Sequence, residues 1–327
     1  MKAKKLLAAI ALTLAATTLI ACGDNDRSID FSTYWNAEWN VPKQIDETLE
    51  YNVAFENTNS QSTVNYELNY KNGSYTTHLV ADTLYEYTYT TTLSITAVYS
   101  YDGETEELQD RVTTKVTFNA ENGLIPIKSE KTIVSHSPTN SRVSRVSQAY
   151  NAFYRHIETD YTGEKAVCKV WDTEPNKDGT PNEELLSEET FNGKSGKYSY
   201  TDNEMLLLSL RCVSTSVDSA KVKVYSPFND EMQKIKLSFT DDDESMEASY
   251  FDHAVSDTVK KTIPYRTVTL KLSSSNPGAT QKAWIAKYDN PQASNVHRNV
   301  MLKLETPLAY NLGTLVYTLK SINRIEK

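Results

Sequence analysis

The chain has 327 residues, of which 39% are hydrophobic and 24% are charged, and its formal net charge is -9. Ten glycines and ten prolines are about half of ordinary usage, which excludes collagen-like, low-complexity and glycine-rich linker proteins. The length allows one large β domain or two ordinary domains with a sizeable core. Twenty-one tyrosines are an unusually large number and favour strands, where tyrosine is enriched.

The amino terminus has the organisation of a secretory signal peptide. Lys2, Lys4 and Lys5 form a positively charged start, and residues 6–20 form an apolar run broken only by threonines. This run is shorter than a typical transmembrane helix, which needs about 20 apolar residues. We therefore predict that residues 1–21 direct the chain out of the cytoplasm and are then removed.

The end of this segment, Leu19, Ile20, Ala21 and Cys22, resembles the lipobox of bacterial lipoproteins. In that motif, small and apolar residues precede a cysteine that receives a diacylglyceryl group before the signal is cleaved. The resemblance implies that Cys22 carries acyl chains such as palmitate. These chains would anchor the protein to a bacterial membrane, at the cell surface or the periplasmic face. The other interpretation is an ordinary signal peptide followed by a chance cysteine.

Residues 22–42 begin with a short polar stretch, which we interpret as a tether between the anchor and a folded body at residues 43–327. Removal of residues 1–21 leaves 31 basic and 43 acidic residues, a net charge of -12. An acidic surface disfavours nucleic acid and anionic lipid headgroups. We therefore expect the lipid on Cys22, rather than surface charge, to make the membrane contact.

Apolar and polar residues alternate with period two from about residue 50 onward, and this pattern indicates β-strands. The Asn-Gly pair at 72–73 is predicted to join strands at 64–70 and 75–80 in a hairpin. Asp-Gly at 102–103 and Asn-Gly at 122–123 predict two more turns. Long strands with few interruptions favour a large curved sheet over a compact sandwich.

Two segments depart from the strand pattern. Residues 143–156 carry apolar side chains at a spacing near 3.6, which predicts one helix. Residues 202–211 predict a second helix, with Asp202 as the N-cap and acidic residues in its first turn. Further strands are predicted at 221–225, 234–239, 247–251, 267–272, 282–288, 300–306 and 313–321. The predicted fold class is mainly β with minor α, a large curved antiparallel sheet or half-open barrel with one or two helices on its concave side.

The second half of the chain resembles a family of secreted bacterial proteins related to half-barrel carriers of the lipoprotein-localisation type. The resemblance rests on the order of elements over residues 202–322, which runs from the segment 202–211 through lysine-rich alternating strands to 283–289, 300–305 and 312–319. It implies an incompletely closed antiparallel barrel, wrapped around helices, with an apolar cavity for acyl chains. We expect one continuous β domain, with sub-halves at 43–160 and 161–327 as the alternative.

Motifs that would indicate an enzyme or a metal site are not found in the sequence. The five histidines fall in different predicted elements, with no pair at the i, i+4 spacing that holds zinc on a helix. Gly193, Lys194 and Ser195 imitate the end of a phosphate-binding loop, but Glu188 stands where the first glycine is required. We therefore expect a protein without a catalytic site, a cofactor or a bound metal.

Cys168 and Cys212 are the two cysteines that remain once Cys22 is assigned to the lipid. Outside the cytoplasm they would be able to form a disulfide, which closes a loop of about 45 residues and contributes roughly 3–4 kcal/mol. Cys168 falls in a predicted strand and Cys212 follows the second predicted helix, and both are ordinary places for a buried thiol. The sequence leaves these two alternatives open.

These features lead to two hypotheses of function. In the first, a lipid-anchored extracytoplasmic protein binds or carries an apolar or amphiphilic ligand, a lipid or a lipoprotein, with Trp284 and Tyr288 lining its cavity. In the alternative, a structural or envelope-interaction module binds glycan or protein through the tyrosines and threonines of residues 85–92. The first hypothesis requires an apolar cavity behind the sheet, whereas the second allows a packed interior. The sequence leaves the oligomeric state open.

Overall fold

Strands dominate the residues that the computed structural model describes. These residues are 37–38, 41–42, 44–57, 64–121, 124–176, 178–192, 199–211, 219–227, 230–240, 244–272, 280–287 and 299–326. The first nine strands are β1 (Ala37–Glu38), β2 (Val41–Pro42), β3 (Ile45–Glu56), β4 (Glu67–Ala81), β5 (Glu86–Tyr101), β6 (Glu104–Asn119), β7 (Ile125–Pro138), β8 (Tyr150–Asp160) and β9 (Ala166–Asp172). The next nine are β10 (Glu184–Phe191), β11 (Ser199–Tyr200), β12 (Ser219–Ser226), β13 (Glu231–Thr240), β14 (Ser245–Asp252), β15 (Asp257–Leu272), β16 (Gln281–Ala286), β17 (Met301–Pro307) and β18 (Thr314–Glu326).

Helical structure within the described ranges is short. Single 3₁₀ turns span Val146–Gln148, Asn203–Met205 and Ala309–Asn311, and one α-helix, α1, spans Leu206–Leu210. None of the helices in this part of the chain is long and apolar enough to cross a membrane.

All strands except β1 and β2 belong to one sheet. Its order is β10-β9-β8-β7-β6-β5-β4-β3-β18-β17-β16-β15-β13-β12-β11, and β14 pairs with β15 and β18. Neighbouring strands are antiparallel, apart from short parallel contacts of β11 with β12 and of β14 with β18. The first long strand, β3, therefore lies beside the last one, β18, over the register Thr314↔Glu56 to Glu326↔Ile45.

The sheet curls until its two ends meet. Phe191, at the end of β10, stacks on Tyr225 of β12 with ring centroids 3.9 Å apart. Because β10 is one end of the strand order and β12 is next to the other end, this contact brings the sheet edges together into a barrel. The predicted fold class, mainly β with a curved antiparallel sheet, is confirmed.

The segment that was predicted as the second helix lies inside the barrel. Asp202 caps it as expected, because its side chain accepts a hydrogen bond of 2.7 Å from the Glu204 amide. The helix is shorter than predicted, with one 3₁₀ turn followed by α1. Met205 and Leu208 pack among residues of β3 to β6, while Leu206, Leu207 and Leu210 join the larger core cluster. The segment thus fills the centre of the barrel.

Strands β3 to β7 form a continuous part of the barrel that we call the tyrosine wall. Alternation along these strands turns six buried tyrosines into the interior, Tyr51, Tyr70, Tyr75, Tyr87, Tyr89 and Tyr99, and Tyr66 is buried just before β4. The threonines between them, such as Thr88, Thr90 and Thr92, are half-buried on the other face. Tyr87 and Tyr89 are therefore core residues. The second hypothesis placed them on an exposed binding face of the sheet, but that face of β5 consists mainly of threonine.

The predicted hairpin around Asn72 and Gly73 is wrong, because β4 runs straight through these residues. Instead the pair forms a bulge, with a shift in register between Lys71 and Ser74 against β5. Asn72 has a φ of 55°, and a Cβ on Gly73 would lie 2.3 Å from the carbonyl oxygen of Val53. The bulge therefore needs the same two residue types as a turn does. The predicted turn at 102–103 is confirmed, with φ of 50° and 83°, whereas residues 122–123 lie outside the described ranges.

The predicted helix at 143–156 is also wrong. Only Val146–Gln148 make a 3₁₀ turn, and β8 begins at Tyr150. From there the chain pairs with β7 along the whole register Pro138↔Tyr150 to Lys128↔Asp160. The apolar residues that suggested a helix are buried in two different elements. Val146 and Ala149 are buried at the 3₁₀ turn, and Phe153 and Ile157 are buried positions of β8. Pairing with two neighbouring strands outweighs a weak local helical pattern.

Candidate functional site

A polar pocket lies where the capped segment meets β7, β8 and the hairpin of β12 and β13. Its volume is about 40 Å³, and its lining is Ser129, Lys131, Ile157, Thr159, Tyr161, Asp202, Asn203, Glu204, Tyr225, Ser226, Pro227 and Gln233. We call it the Asp202 pocket. Carboxylate, ammonium, hydroxyl and amide groups meet here, although they come from distant parts of the sequence.

An ion pair forms one side of the Asp202 pocket. Lys131 Nζ donates to Glu204 Oε1 over 2.7 Å, and the two side chains are 5% and 11% exposed. Asn203 Nδ2 donates to the same carboxylate oxygen over 3.1 Å. Charge-assisted hydrogen bonds of this kind are strong in a poorly solvated site. The pocket therefore contains a compensated cation and anion, and not a field of one sign.

Asp202 is the most deeply buried carboxylate of the pocket. Its side chain accepts hydrogen bonds from the Tyr161 hydroxyl and the Glu204 amide. Burial raises the pKa of Asp202, and the neighbouring charge of Glu204 raises it further, whereas the hydrogen bonds from Tyr161, Glu204 and Ser129 oppose the rise. Asp202 thus serves as an N-cap, an acceptor for a tyrosine and a wall of the pocket.

Aromatic rings close the other side of the pocket. Tyr225 stacks on Phe191 and its hydroxyl donates to Asp230 Oδ1 over 2.9 Å. Tyr161 meets Phe191 edge to face, with centroids 6.1 Å apart. The same contacts that bring the sheet edges together therefore also form the aromatic rim of the Asp202 pocket.

A second ionic cluster ties the inner segment to the seam between β3 and β18. Arg211 Nη1 and Nη2 both bond the Glu47 carboxylate, the latter over 3.1 Å, and Arg324 Nη1 reaches Glu47 Oε2 over 3.1 Å. Glu47 is 1% exposed. Burial alone would raise the pKa of Glu47, but the two guanidinium groups outweigh it and lower the pKa below its usual 4.5. This cluster is enclosed and serves the fold.

A third buried polar group joins Asp110 to His136. Asp110 Oδ1 accepts from the His136 backbone amide over 2.9 Å and lies 2.8 Å from His136 Nδ1. The Tyr99 hydroxyl donates to the His136 carbonyl oxygen over 2.5 Å. Burial raises the pKa of Asp110, and the contacts with His136 partly offset that rise. The Asp110 carboxylate thus takes the place of a backbone acceptor where the pairing of β6 with β7 ends at Arg111↔Val134.

Most of the sequence-predicted site residues lie outside the described ranges. These are Leu19, Ile20, Ala21, Cys22, Cys212 and Tyr288. Cys168 is buried in β9, and as a thiol its pKa is raised by burial to about 11. Because Cys212 is not among the described residues, the disulfide between them stays a prediction.

Trp284 does not line the interior of the barrel, contrary to expectation. Its neighbours in β16, Ala283 and Ile285, belong to the core, so alternation turns Trp284 to the outer face. There the ammonium groups of Lys282 and Lys303 lie 4.6 and 4.8 Å from the centre of its ring. The two lysine stems explain why an outward tryptophan is only 8% exposed.

Within the described ranges, no group of three or more His, Cys, Asp or Glu side chains lies close enough to hold a metal ion. The capping pattern in the sequence identified Asp202 as an N-cap. No pattern in the sequence predicted the contact between Lys131 and Glu204, which are 73 residues apart.

No family model matches the chain, and no curated protein matches its sequence significantly. A comparison with solved structures finds two proteins of low sequence identity. A β-barrel-like protein of the domain of unknown function DUF1849 from Brucella abortus has a TM-score of 0.48 and 9% identity, and the match covers 87% of this chain and 100% of that one. A porin-like protein from Bacteroides uniformis has a TM-score of 0.22 and 10% identity, with 88% and 97% covered.

Proposed function

We propose that this chain is a lipid-anchored extracytoplasmic binding protein that takes the end of a hydroxyl-rich ligand, such as an envelope glycan, in the Asp202 pocket. The observation that carries the proposal is the composition of that pocket. Lys131 and Asn203 supply donors, Asp202 and Glu204 supply acceptors, and aromatic rings border them. Hydroxyl groups donate and accept at once, so they suit a lining of both kinds.

The size of the pocket limits how much of a ligand it takes. A volume of about 40 Å³ holds one small polar group, whereas complete small-molecule sites have volumes of roughly 300–1,000 Å³. We therefore propose that one hydroxyl-bearing group of the glycan enters the pocket and that the rest of the glycan stays outside it.

An apolar ligand inside the barrel receives less support. The described part of the interior is filled by the tyrosines of the tyrosine wall and by the apolar side chains of the segment from Met205 to Leu210. Such packing resembles an ordinary protein core. A carrier of acyl chains would need this segment to leave, which would break the buried ion pairs of Arg211 and Glu204.

Membrane attachment in this proposal depends on Cys22. The support is the lipobox-like sequence and the positively charged, apolar start of the chain. Mass spectrometry of the mature protein is expected to find Cys22 as the first residue, carrying acyl chains. The Cys22→Ser variant is expected to stay unacylated and to be released from membranes. An unmodified Cys22 in the wild-type protein, or a Cys22→Ser variant that remains in the membrane fraction, would contradict the anchor.

Ligand binding is tested with a panel of purified envelope saccharides, applied to the full chain and to variants of the pocket. Asn203→Ala removes a half-exposed donor without cutting the Lys131–Glu204 pair, and Asn151→Ala changes an exposed asparagine on β8 as the matched control. We expect at least one saccharide to bind, with about tenfold weaker binding for Asn203→Ala, the loss of one hydrogen bond. Equal binding by both variants, or no binding by wild type, would overturn the proposal.

A further inference from the structure

Exposed apolar side chains gather at one end of the barrel, the end where β3 begins and β18 finishes. Nine large hydrophobic side chains are exposed in the part of the chain that the structure describes. Five of them belong to this end, namely Leu84 and Tyr85 between β4 and β5, Ile125 at the start of β7, Val255 at the tip of the β14–β15 hairpin and Ile325 in β18. We call these five residues the apolar end. Their exposed fractions range from 36% to 62%.

Strand register makes the apolar end a continuous arc. Asp46 of β3 pairs with Ile325 on one side and Val80 on the other, so the turn after β4 lies close to the end of β18. The Ala120 amide donates to the Tyr85 carbonyl oxygen over 2.8 Å, and the first residue of β7 pairs with the last residue of β6. β14 pairs with β18 in parallel and so leads to the same end. The arc therefore runs from β7 through β3 and β18 to β14.

The other four exposed apolar side chains are distributed differently. Phe251 lies in β14, four residues before Val255. Leu185 and Leu186 lie at the start of β10 and Tyr310 lies between β17 and β18, which places these three at the opposite end of the barrel. Single exposed apolar residues are normal on a protein surface, whereas several along one edge mark a contact surface.

The chain enters the barrel beside the apolar end. β3 begins at Ile45, so the amino-terminal part of the chain, with Cys22, leads to this end and not to the opposite one. The charged residues of the two turns that precede β5 and β7 are acidic, Asp82 and Glu121. Carboxylates are not attracted to anionic headgroups, so a membrane contact of these turns must be apolar.

We propose that the apolar end dips into the interface of the membrane to which Cys22 attaches the chain. This inference rests on the proposed lipid anchor. Leucine, isoleucine and valine favour the acyl region, and tyrosine is enriched at the level of the headgroups. The barrel would thus stand on the membrane with its entry end down. The acyl chains supply attachment, and the apolar end sets the orientation.

The orientation is tested on the mature chain attached to phosphatidylcholine vesicles in two ways. One is the native protein with lipid on Cys22, and the other is a Cys22→Ser chain with an amino-terminal histidine tag, held by a nickel-chelating lipid. Side chains are oxidised briefly by hydroxyl radicals and quantified by mass spectrometry, and the tagged chain without vesicles is the reference. We expect Leu84, Tyr85 and Val255 to be oxidised about fivefold more slowly on vesicles, because interfacial side chains are buried among headgroups and acyl chains. Protection should persist at about 500 mM salt, because salt screens charges and not apolar burial.

The opposite end of the barrel supplies matched reference residues in the same molecule. Leu185 is 49% exposed and Leu84 44%, and Tyr310 is 40% exposed and Tyr85 36%. Leu185 and Tyr310 should be oxidised at the same rate with and without vesicles. Equal protection of both ends, or no protection of the apolar end in the tagged chain on vesicles, would overturn the proposal. Protection that appears without vesicles as the protein concentration rises would assign this end to a second copy of the chain, and would overturn it as well.

Substitutions at exposed positions test the apolar character of the contact. The Leu84→Asp/Val255→Asp variant should lose most of the protection of Tyr85 and Ile125 on vesicles, because two carboxylates resist burial in the interface. The matched control, Leu185→Asp, changes an exposed leucine at the opposite end and should leave that protection unchanged. Full protection in the double variant would contradict an apolar contact.

Flotation separates failure of the anchor from failure of the apolar end. A lipidated chain floats with phosphatidylcholine vesicles whichever way the barrel faces. If the native protein fails to float, the anchor is wrong, and the tagged chain still tests the apolar end because the nickel-chelating lipid attaches it at the same terminus. If the native protein floats but neither form is protected, the anchor is right and the orientation is wrong.

Discussion

Strands β12, β13, β15, β16 and β17, which we call the lysine wall, differ from the tyrosine wall on both of their faces. The tyrosine wall turns tyrosines and buried charges such as Glu47, Asp110 and Lys131 toward the interior. The lysine wall turns aliphatic side chains such as Leu237 and Leu304 inward. The first wall must therefore satisfy several buried charges, whereas the second buries mostly aliphatic side chains together with a few polar ones, Arg266, Gln233 and Gln281.

The outward faces differ in the opposite sense. On the tyrosine wall, charges of opposite sign face one another, as with Lys115 and Glu130, or form exposed pairs such as Lys71 with Glu107. On the lysine wall, lysines face lysines across three strands. The lysine wall therefore brings like charges opposite one another on its outer face, whereas the tyrosine wall pairs unlike charges there.

The largest expected effect is on the buried charges of the tyrosine wall. Glu47→Ala leaves Arg211 and Arg324 without their shared carboxylate, and we expect a loss of about 3–5 kcal/mol in the free energy of unfolding. Urea denaturation measures the loss. The matched control, Glu107→Ala, breaks an exposed ion pair with Lys71 and should cost about 1 kcal/mol or less. Equal losses would show that the interior charges are no more important than surface ones.

The buried hydroxyls of the tyrosine wall give a smaller effect. Tyr99→Phe removes the hydrogen bond to the His136 carbonyl oxygen and should lower the free energy of unfolding by about 1–3 kcal/mol. Tyr85→Phe removes the hydroxyl of an exposed tyrosine and should change it by about 0.5 kcal/mol or less. If both variants matched wild type in thermal and urea denaturation, the tyrosines would contribute ring packing alone.

Acidic pH should stabilise the protein before it destabilises it. The native pKa of Asp202 is raised from its usual 3.8, so its contribution to stability is fully present below that pH and is lost as the pH rises through the native pKa. The lowered pKa of Glu47 acts in the opposite way, because stability is lost as the pH falls through it. We expect a maximum in the free energy of unfolding under mildly acidic conditions.

The Asp202→Asn variant isolates the first of these two effects. Asparagine also caps helices well, so the variant should keep the inner segment folded. Its free energy of unfolding should change less with pH than that of wild type between neutral and mildly acidic pH. An unchanged slope in a series of urea titrations would mean that Asp202 does not titrate with a raised pKa.

Local patterns in the sequence predicted much of the fold. Period-two alternation identified most of the strands, and the capping pattern at Asp202 identified the inner segment. The prediction of a turn at Asn72 and Gly73 was wrong because a bulge and a turn require the same backbone freedom. The prediction of a helix at residues 143–156 was wrong because a few apolar side chains fit the period of a helix as well as that of a strand. Only the pairing with β7 distinguishes the two.

The candidate sites were much less predictable than the strands. Lys131 and Glu204 meet across 73 residues, and Glu47 and Arg211 meet across 164, so no local pattern brings them together. The lysines of the second half were visible, but the register that sets Lys236 opposite Lys221 was not. Net charge averages over faces that the fold separates.

Paired charge reversals test the contrast between the two walls most directly. Lys236→Glu replaces a lysine that faces two others, and we expect the free energy of unfolding at low salt to rise by about 0.2–1 kcal/mol per relieved pair. Lys115→Glu places a carboxylate opposite Glu130 on the tyrosine wall and should lower it by a similar amount. Changes of opposite sign in urea denaturation are the predicted result. A loss of stability for Lys236→Glu would contradict the claim that the lysine wall concentrates like charge at a cost to the fold.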